Sequence, residues 1–432
     1  MVGRTILDME ERYLNRIADR MVSDHLESSG GVLIEGPKWC GKTWTARRAS
    51  KSQLFMQDPD EAAAYKKIAD TKPSLLLEGE APRLLDEWQV APVLWDAVRF
   101  AVDKRGGTGH FILTGSSVPP ADETPEHSGT GRISRFKMRP MSLYESLESN
   151  GSVSLRDLFD GKEDVSSTSL MSLEEITFAL VRGGWPDAVT GSKKNALRRA
   201  IHYVETIIQT DISRVDNIRR DPVKVRDLML SLARNTATMA TIKTIRDDMA
   251  RGDADNALSV PTIYGYLNAL ERMFVVEDLP AWSPSLRSKT TIRTSPKRHF
   301  VDPSIATAVM RLTPGRLLKD FLFFGFLFES LCVRDLRIYA DGNDGQVFHY
   351  RDANGLEADA VVVLNDGRWG AVEVKLGTKE IEEAAIHLRK LTERINTEKM
   401  MEPSFLLILT AGTYAYRRKD GVLVVPLACL KD

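Results

Sequence analysis

The sequence predicts an α/β protein in which two sheet-containing regions flank a helical middle. Three observations carry that expectation. First, GVLIEG (31–36), PSLLLEG (73–79) and HFILTG (110–115) are short apolar runs that end at glycine and alternate with helical patterns, as buried parallel strands do. Second, apolar residues recur mainly at helical spacing across 173–275. Third, residues 301–432 return to mixed strand and helix patterns. At roughly 150 residues per domain, 432 residues suggest about three domains.

Composition narrows the function classes. Lys and Arg number 59 against 60 Asp and Glu, a formal net charge of -1. That excludes a globally basic nucleic-acid binder while leaving room for a local basic patch. With 43% apolar and 28% charged residues the chain is globular in type and not disordered. Cys40, Cys332 and Cys429 lie far apart, which argues against a disulfide scaffold or a zinc finger. The N-terminus is charged from the start, and the longest apolar run, FLFFGFLF (321–328), is far short of the ~20 residues a spanning helix needs. A soluble, cytoplasmic protein with no membrane partner is expected.

The strongest local signal is GPKWCGKT: Gly36, Pro37, Lys38, Trp39, Cys40, Gly41, Lys42 and Thr43. It fits G-x-x-x-x-G-K-[ST], follows the apolar run GVLIE and precedes the helical stretch TWTARRASK. In that context backbone N–H groups and a helix N-terminus face phosphates. Lys42 would reach the β- and γ-phosphates of ATP, and Thr43 would offer its hydroxyl to Mg²⁺. A chance match in a glycine-rich turn is the alternative. Such a loop needs acids on a neighbouring strand. PRLLDE (82–87) supplies Asp86 as a water-mediated Mg²⁺ ligand and Glu87 to polarise the attacking water. An exposed acidic turn is the competing reading. FILTGSS (111–117) ends in Thr114 and Ser116, which either touch the γ-phosphate or serve ordinary turn chemistry. In GRISRFKMRPMS (131–142), Arg132 or Arg135 could act as an arginine finger on a neighbouring subunit's nucleotide, implying a homo-oligomer. A solvated basic strand face explains the same alternation.

GPKWCGKT, LLDEWQ, ILTGSS, GRISRFKMRPMSL and RGGWP together resemble a widespread group of prokaryotic AAA-type ATPases with a C-terminal restriction-endonuclease-like domain of unknown function. The resemblance spans essentially the whole chain and implies ATP and Mg²⁺ as ligands. It also implies that Gly184-Trp185-Pro186 lies over the adenine, as a Gly-x-Pro lid element does in related signal-transduction ATPases, so Trp185 and Pro186 join the cofactor-binding set. A turn ending a helix is the plain reading of the same residues.

In the middle, Leu228, Leu232 and Ala233 form one apolar stripe and Ile242, Ile245 and Met249 another. Ser259 reads as an N-cap with Pro261 in the first turn, followed by Ile263, Leu267, Leu270 and Met273 at helical spacing. Thr262, Tyr264 and Asn268 fall on the opposite face. The pattern looks like a winged helix-turn-helix whose third helix can enter a DNA major groove. The basic segment 287–298, with Arg287, Lys289, Arg293, Lys297 and Arg298, suits DNA phosphates. A lid or oligomerisation element is the alternative.

GLEADAVVVLNDGRWGAVEVKLG (355–377) reads as a β-hairpin around Asn365-Asp366-Gly367. That loop sets Asp359 opposite Glu373, with Cβ atoms ~5 Å apart, and puts Lys375 on the same face. Two carboxylates can hold a Mg²⁺, and the ammonium can activate water or steady developing charge. This resembles the PD-(D/E)xK nuclease core, which also takes an acid from a preceding helix; Glu329 fits that place. TKEIEEAAIHLRKLTERI (378–395) and FLLILT (405–410) complete an αβββαβ order. Two departures stand: residue 358 is Ala where Pro is usual, and the following helix lacks the Gln of many active members. A degenerate fold with a cross-face ion pair is the alternative.

The expected fold class is thus α/β, with a P-loop NTPase domain on a parallel sheet (1–150), a linker and helical lid (151–227), a winged helix-turn-helix (228–300) and a C-terminal PD-(D/E)xK-like domain (301–432). The expected function is ATP hydrolysis coupled to the winged-helix and nuclease-like modules, acting on DNA. A non-enzymatic ATP-dependent switch and an ATP-gated metal-dependent nuclease are the other readings.

Overall fold

The computed structural model describes residues 13–117, 128–162, 164–250, 258–284, 295–395 and 400–432. Its first sheet contains β1 (Gly31–Glu35), β2 (Ser52–Phe55), β3 (Arg83–Asp86), β4 (Phe111–Gly115) and β5 (Ile133–Lys137). All pair parallel, in the order β2-β3-β4-β1-β5. Alternate residues of each strand feed opposite layers, which explains the continuous apolar runs. Leu33, Leu85 and Leu113 pack with Leu94, Trp95 and Val98 of the helix Val93–Arg105. Val32, Ile34, Leu84 and Ile112 pack with Ala18 and Val22 of Ile17–Ser28 and Ala46 of Lys42–Ala49. Each fully buried aliphatic side chain contributes about 1.5–3 kcal/mol.

One expected strand is absent. PSLLL forms a 3₁₀ turn, Pro73–Leu77, because proline at its start suits a helical first turn and lacks a ladder N–H. The strand position belongs to Arg83–Asp86, which carries the acids.

The middle is helical. Leu173–Arg182, Lys193–Thr206, Pro222–Arg234, Ile242–Ala250 and Val260–Arg272 are its longer helices. The Ser259 side chain accepts from the Thr262 amide and caps the last of these. Thr262, Tyr264 and Asn268 are exposed on it. A β-ribbon follows, in which Leu279 N–H donates to Lys297 O (2.8 Å) and Lys297 N–H to Leu279 O (3.0 Å). The ribbon then joins the C-terminal sheet, with Trp282 N–H on His349 O (2.7 Å) and His349 N–H on Pro280 O (2.9 Å).

The segment 151–172 is not a free linker. It forms β6 (Val153–Ser154) and β7 (Ser166–Thr168). The second sheet adds β8 (Gly345–Arg351), β9 (Glu357–Leu364), β10 (Trp369–Lys375), β11 (Phe405–Thr410), β12 (Tyr414–Arg417) and β13 (Leu423–Pro426), in the order β7-β12-β13-β11-β10-β9-β8. Strand β7 pairs with β12, and β6 pairs with β14 (Leu430–Lys431). Residues 153–154 and 166–168 of the expected linker thus satisfy backbone donors and acceptors on strands near residue 430 and at 414–416. The helix Phe321–Asp341 covers one face of this sheet, and Ile381–Arg394 covers the other.

Candidate functional site

The loop between β1 and the helix Lys42–Ala49 turns through three residues with positive φ: Gly36 (148°), Trp39 (67°) and Gly41 (107°). Glycine is required at the first, since a Cβ there would sit 2.1 Å from Met138 O. The Lys42 ammonium folds across the loop and donates to Gly36 O (2.9 Å) and Pro37 O (2.8 Å). Two of its three protons are thus used, in a position level with the loop's mouth.

Strand β4 lies between β1 and β3, so its terminal hydroxyls stand between the loop and the acids. Asp86 Oδ1 accepts from Thr43 Oγ1 (2.8 Å) and from Thr114 Oγ1 (2.7 Å). Burial raises the Asp86 carboxyl above its ordinary pKa, against the two hydroxyls. Glu87 has left-handed backbone geometry (φ 56°), a strained conformation for a non-glycine residue. Its carboxylate accepts from Ser116 Oγ (2.8 Å) and its N–H donates to Thr114 Oγ1 (3.1 Å). The loop, both acids and both hydroxyls therefore form one connected constellation.

The lid side reaches the same loop. Lys38 pairs with Asp211 (2.9 Å), and the Trp39 ring lies 5.7 Å from Tyr203. Pro186 lines a cavity of about 230 Å³ with Tyr13, Arg16, Gly41, Trp44 and Arg199. Trp185 does not line it. The indole is buried against Tyr203 (4.3 Å between ring centres) and donates to Ser304 Oγ (3.0 Å). The Trp-Pro pair is thereby divided between core and cavity. Cys40 is buried at the back of the loop.

Arg132 and Arg135 are not brought to this loop. Gly31 pairs with Ile133, so Arg132 stands at the start of β5, six residues before the level of Gly36 and roughly 20 Å away along the strand. It pairs with Asp103 (2.8 Å), while Arg135 stacks 4.5 Å over the Trp95 ring.

Two residues escaped the sequence reading. Buried Arg16 donates to Cys40 O (2.8 Å) and Arg139 O (2.8 Å) and pairs with Glu145 (3.0 Å), tying the chain's start to the loop. Arg214 faces Lys38 and Ser116 across a small cleft. An arginine in a helical run carries no local mark of either role.

In the C-terminal region the hairpin pairs Trp369 with Val363 and continues to Val372 with Ala360; one step further, Glu373 faces Asp359. Gly367 has φ 90° in the connecting loop. Glu329, on the helix Phe321–Asp341, comes to the same place, but not to share a cation with the two strand acids. Lys297 Nζ lies between Glu329 Oε1 (2.7 Å) and Asp359 Oδ1 (3.0 Å), and Lys375 Nζ holds Glu373 Oε2 (3.0 Å). Asp359 Oδ2 accepts from Val374 N–H (2.9 Å). Burial would raise Asp359, but Lys297 and Lys375 hold it down at about 2. Glu329 is pushed up to about 8 by burial and by Asp359. Glu373 is pushed well above the carboxylate range by burial and then by Asp359. Among the described residues no group of three or more His, Cys, Asp or Glu is arranged to hold a metal ion. Lys297 thus stands between Glu329 and Asp359, two of the three residues expected to ligate a metal, and Glu373 faces Asp359 beside them.

Two cations of the expected basic segment lie among the described residues. Lys297 is buried, and Arg298 pairs with Asp278, so neither cation is offered to a phosphate. Arg287, Lys289 and Arg293 lie outside the described residues. Among the described residues no helix is long and apolar enough to cross a membrane.

Comparison with known proteins gives three family matches and several similar solved structures. Residues 28–147 match a family described as an AAA domain. Residues 173–316 and 324–430 match two domains of unknown function, DUF8612 and DUF4143. A comparison with curated proteins finds no match. One of the solved structures is that of the Aeropyrum pernix ORC2 protein in ADPNP-ADP complexes. It shares 14% identity, with 61% of this chain and 84% of that chain covered and a TM-score of 0.28. The stretch that matches the AAA domain family, 28–147, is the one that holds the glycine-rich loop and the five-stranded parallel sheet.

Proposed function

We propose that this chain binds ATP with Mg²⁺ at Gly36–Thr43, hydrolyses it, and passes the nucleotide state through its helical lid to the middle and C-terminal modules, with DNA as the target. The observation that carries the first part is the shared oxygen of Asp86, held at once by Thr43 and Thr114. Thr43, Asp86 and the loop donors fit a hydrated divalent cation and a triphosphate: the hydroxyl and carboxylate are already adjacent, and the loop admits no Cβ at Gly36. Mg²⁺, when bound, withdraws charge from the β- and γ-phosphates.

The remaining work falls to the chain. Lys42 turns from the loop carbonyls to the phosphate oxygens, and backbone N–H groups of the loop and of the helix start orient them. Glu87, steadied by Ser116, orients a water toward the γ-phosphorus and draws on its proton as the bond to the leaving oxygen lengthens. Arg214, across the cleft from Ser116, supplies a further cation from the lid. Pro186 and Gly41 border the cavity that takes the nucleoside, with Trp185 supporting Pro186 from the core. Arg132, at the far end of β5 from its own loop, and Arg135, turned onto the Trp95 ring, serve as fingers toward a second copy.

The three helices and ribbon between 222 and 301 have the order of a winged helix-turn-helix, with Thr262, Tyr264 and Asn268 on the free face of its third helix. The C-terminal order, helix, β8-β9-β10 meander, helix and parallel β11, supports the PD-(D/E)xK-like reading. A second reading, a switch with a degenerate nuclease fold, is favoured by one observation: Lys297 sits where a metal would stand. The ATP-gated nuclease is the third.

The test is Glu87→Gln. Turnover should fall by about 10²–10⁴ while ATP binding persists. Equal turnover in variant and wild type would defeat the assignment. Running the same ATPase assay with and without DNA tests the coupling, since the proposal expects DNA to change turnover. Cleavage of plasmid DNA with Mn²⁺, compared with Asp359→Ala, separates the second reading from the third.

A further inference from the structure

We infer that the C-terminal carboxylate cluster is a cation site kept closed by the chain's own Lys297, and that the ribbon carrying Lys297 must withdraw before a divalent metal can enter. This rests on the nuclease-like reading of Glu329, Asp359 and Glu373, and adds its regulation.

Three observations build it. An ammonium is already seated on the acids: Lys297 Nζ is 2.7 Å from Glu329 and 3.0 Å from Asp359, and the residue is only 6% exposed. The cluster also has unused coordinating capacity. Glu373 is 2% exposed, and its Oε1 has no hydrogen-bond partner although the residue faces Asp359 across the hairpin. A buried carboxylate oxygen without a donor is costly in a purely structural ion-pair network. Finally, the site is not sealed from solvent. A cleft of about 870 Å³, bordered by Glu329, Asp359, Lys375 and the exposed Phe321 and Leu322, opens onto it. A metal and a ligand have a path in, and Lys297 holds the position between Glu329 and Asp359.

The plug comes from a different module from the acids. Lys297 is on the second strand of the ribbon that follows the middle helices, and its N–H and C=O pair only with Leu279 there. The first strand of that ribbon carries Glu277, which Arg139 grips from the segment leaving β5 with bonds of 2.7 and 2.9 Å. The ATPase domain thus holds the ribbon that holds the plug. A shift of the ribbon would exchange a monovalent ammonium for a divalent ion on the same carboxylate oxygens.

The probe is Mn²⁺ on the full chain, without nucleotide, with binding followed by the loss of the free-ion spin resonance signal. Lys297→Met should gain one Mn²⁺ equivalent, bound about tenfold or more tighter than any Asp359-dependent site of the wild type. The gain should vanish in Lys297→Met/Asp359→Asn. Lys297→Met/Glu329→Gln removes one charge of each sign, so it guards against a folding failure and should still gain the ion on Asp359 and Glu373. In the wild type itself, excess Mn²⁺ should speed hydrogen exchange at the amides of Leu279 and Lys297, and Asp359→Asn should abolish that effect. Wild-type protein that binds Mn²⁺ through Asp359 as tightly as Lys297→Met, or that keeps those amides fully protected in excess Mn²⁺, overturns the inference. Mn²⁺ uptake by Lys297→Met without DNA cleavage leaves the plug standing and sinks the nuclease reading. Wild-type cleavage with the ribbon amides still protected does the reverse.

Discussion

Replacing Arg139 with methionine removes the guanidinium that joins three modules. Arg139 is 8% exposed and donates to both oxygens of Glu277, on the ribbon, and to Asp341, at the end of the helix Phe321–Asp341. Taking one partner from a buried ion pair costs about 3–5 kcal/mol. Here Glu277 keeps Lys137 at 2.9 Å and Arg337 at 3.7 Å, and the Asp341 side chain is a quarter exposed. The lower end applies, about 3 kcal/mol, and it falls on the docking of the ribbon more than on the sheets. The assay is native-state hydrogen exchange. The amides of Glu277 and Leu279, bonded to His299 O and Lys297 O, should exchange roughly 100-fold faster in Arg139→Met. Amides in β1 and β4 should change little. In the wild type ATP should alter exchange at Glu277 and Leu279, and in the variant it should not. A folded Arg139→Met whose ribbon amides exchange within about twofold of wild type would refute the claim that this residue carries the connection.

Gly184→Ala places a Cβ 2.1 Å from Met141 O and 2.6 Å from Met141 N, where the lid meets the first sheet. Thermal unfolding should show a loss of about 1–3 kcal/mol with weaker ATP binding, and an unchanged melting temperature would contradict the packing described. His349, buried under the ribbon with Nε2 on Ser295 O (3.0 Å), is held down to about 4 by burial and by Lys297. The unfolded chain therefore takes up this proton first. The contribution is fully present above pH 6.5 and is lost as pH falls toward 4, amounting to about 3 kcal/mol. His349→Gln should flatten that part of a stability-against-pH curve, and a curve that keeps its slope would exclude this histidine as the cause. Mixing Lys42→Ala chains with Arg132→Ala/Arg135→Ala chains should restore turnover that neither has alone if the arginines act across subunits. Full activity in the arginine variant by itself would remove them from the mechanism.

How much of this was legible in the sequence depends on distance along the chain. The phosphate loop is contiguous, and its conformation is written in glycines that tolerate positive φ, so Gly36, Gly41, Lys42 and Thr43 could be read directly. Asp86 and Glu87 needed one further step, a neighbouring strand. The hairpin was readable for a similar reason: a short loop containing Gly367 sets the register, and the register sets Asp359 against Glu373. The division of Trp185 from Pro186 was not readable, because it depends on Tyr203 and Ser304 filling the space behind the lid.

Local chemistry alone, then, determined the glycine-rich turn, the acids beside it and the facing pair of the hairpin. Each is specified by backbone geometry over a few residues. Only the tertiary structure decided that residues 153–154 and 166–168 become strands, that Arg139 is buried between two acids, and that Lys297 is buried between Glu329 and Asp359. The physical reason is common to all three: a charged or polar side chain looks solvent-facing until burial and a partner far along the chain are known. Lys297 meets Glu329 and Asp359 32 and 62 residues away. Nothing in the run SPKRHF distinguishes a lysine that reaches for a phosphate from one buried between two carboxylates.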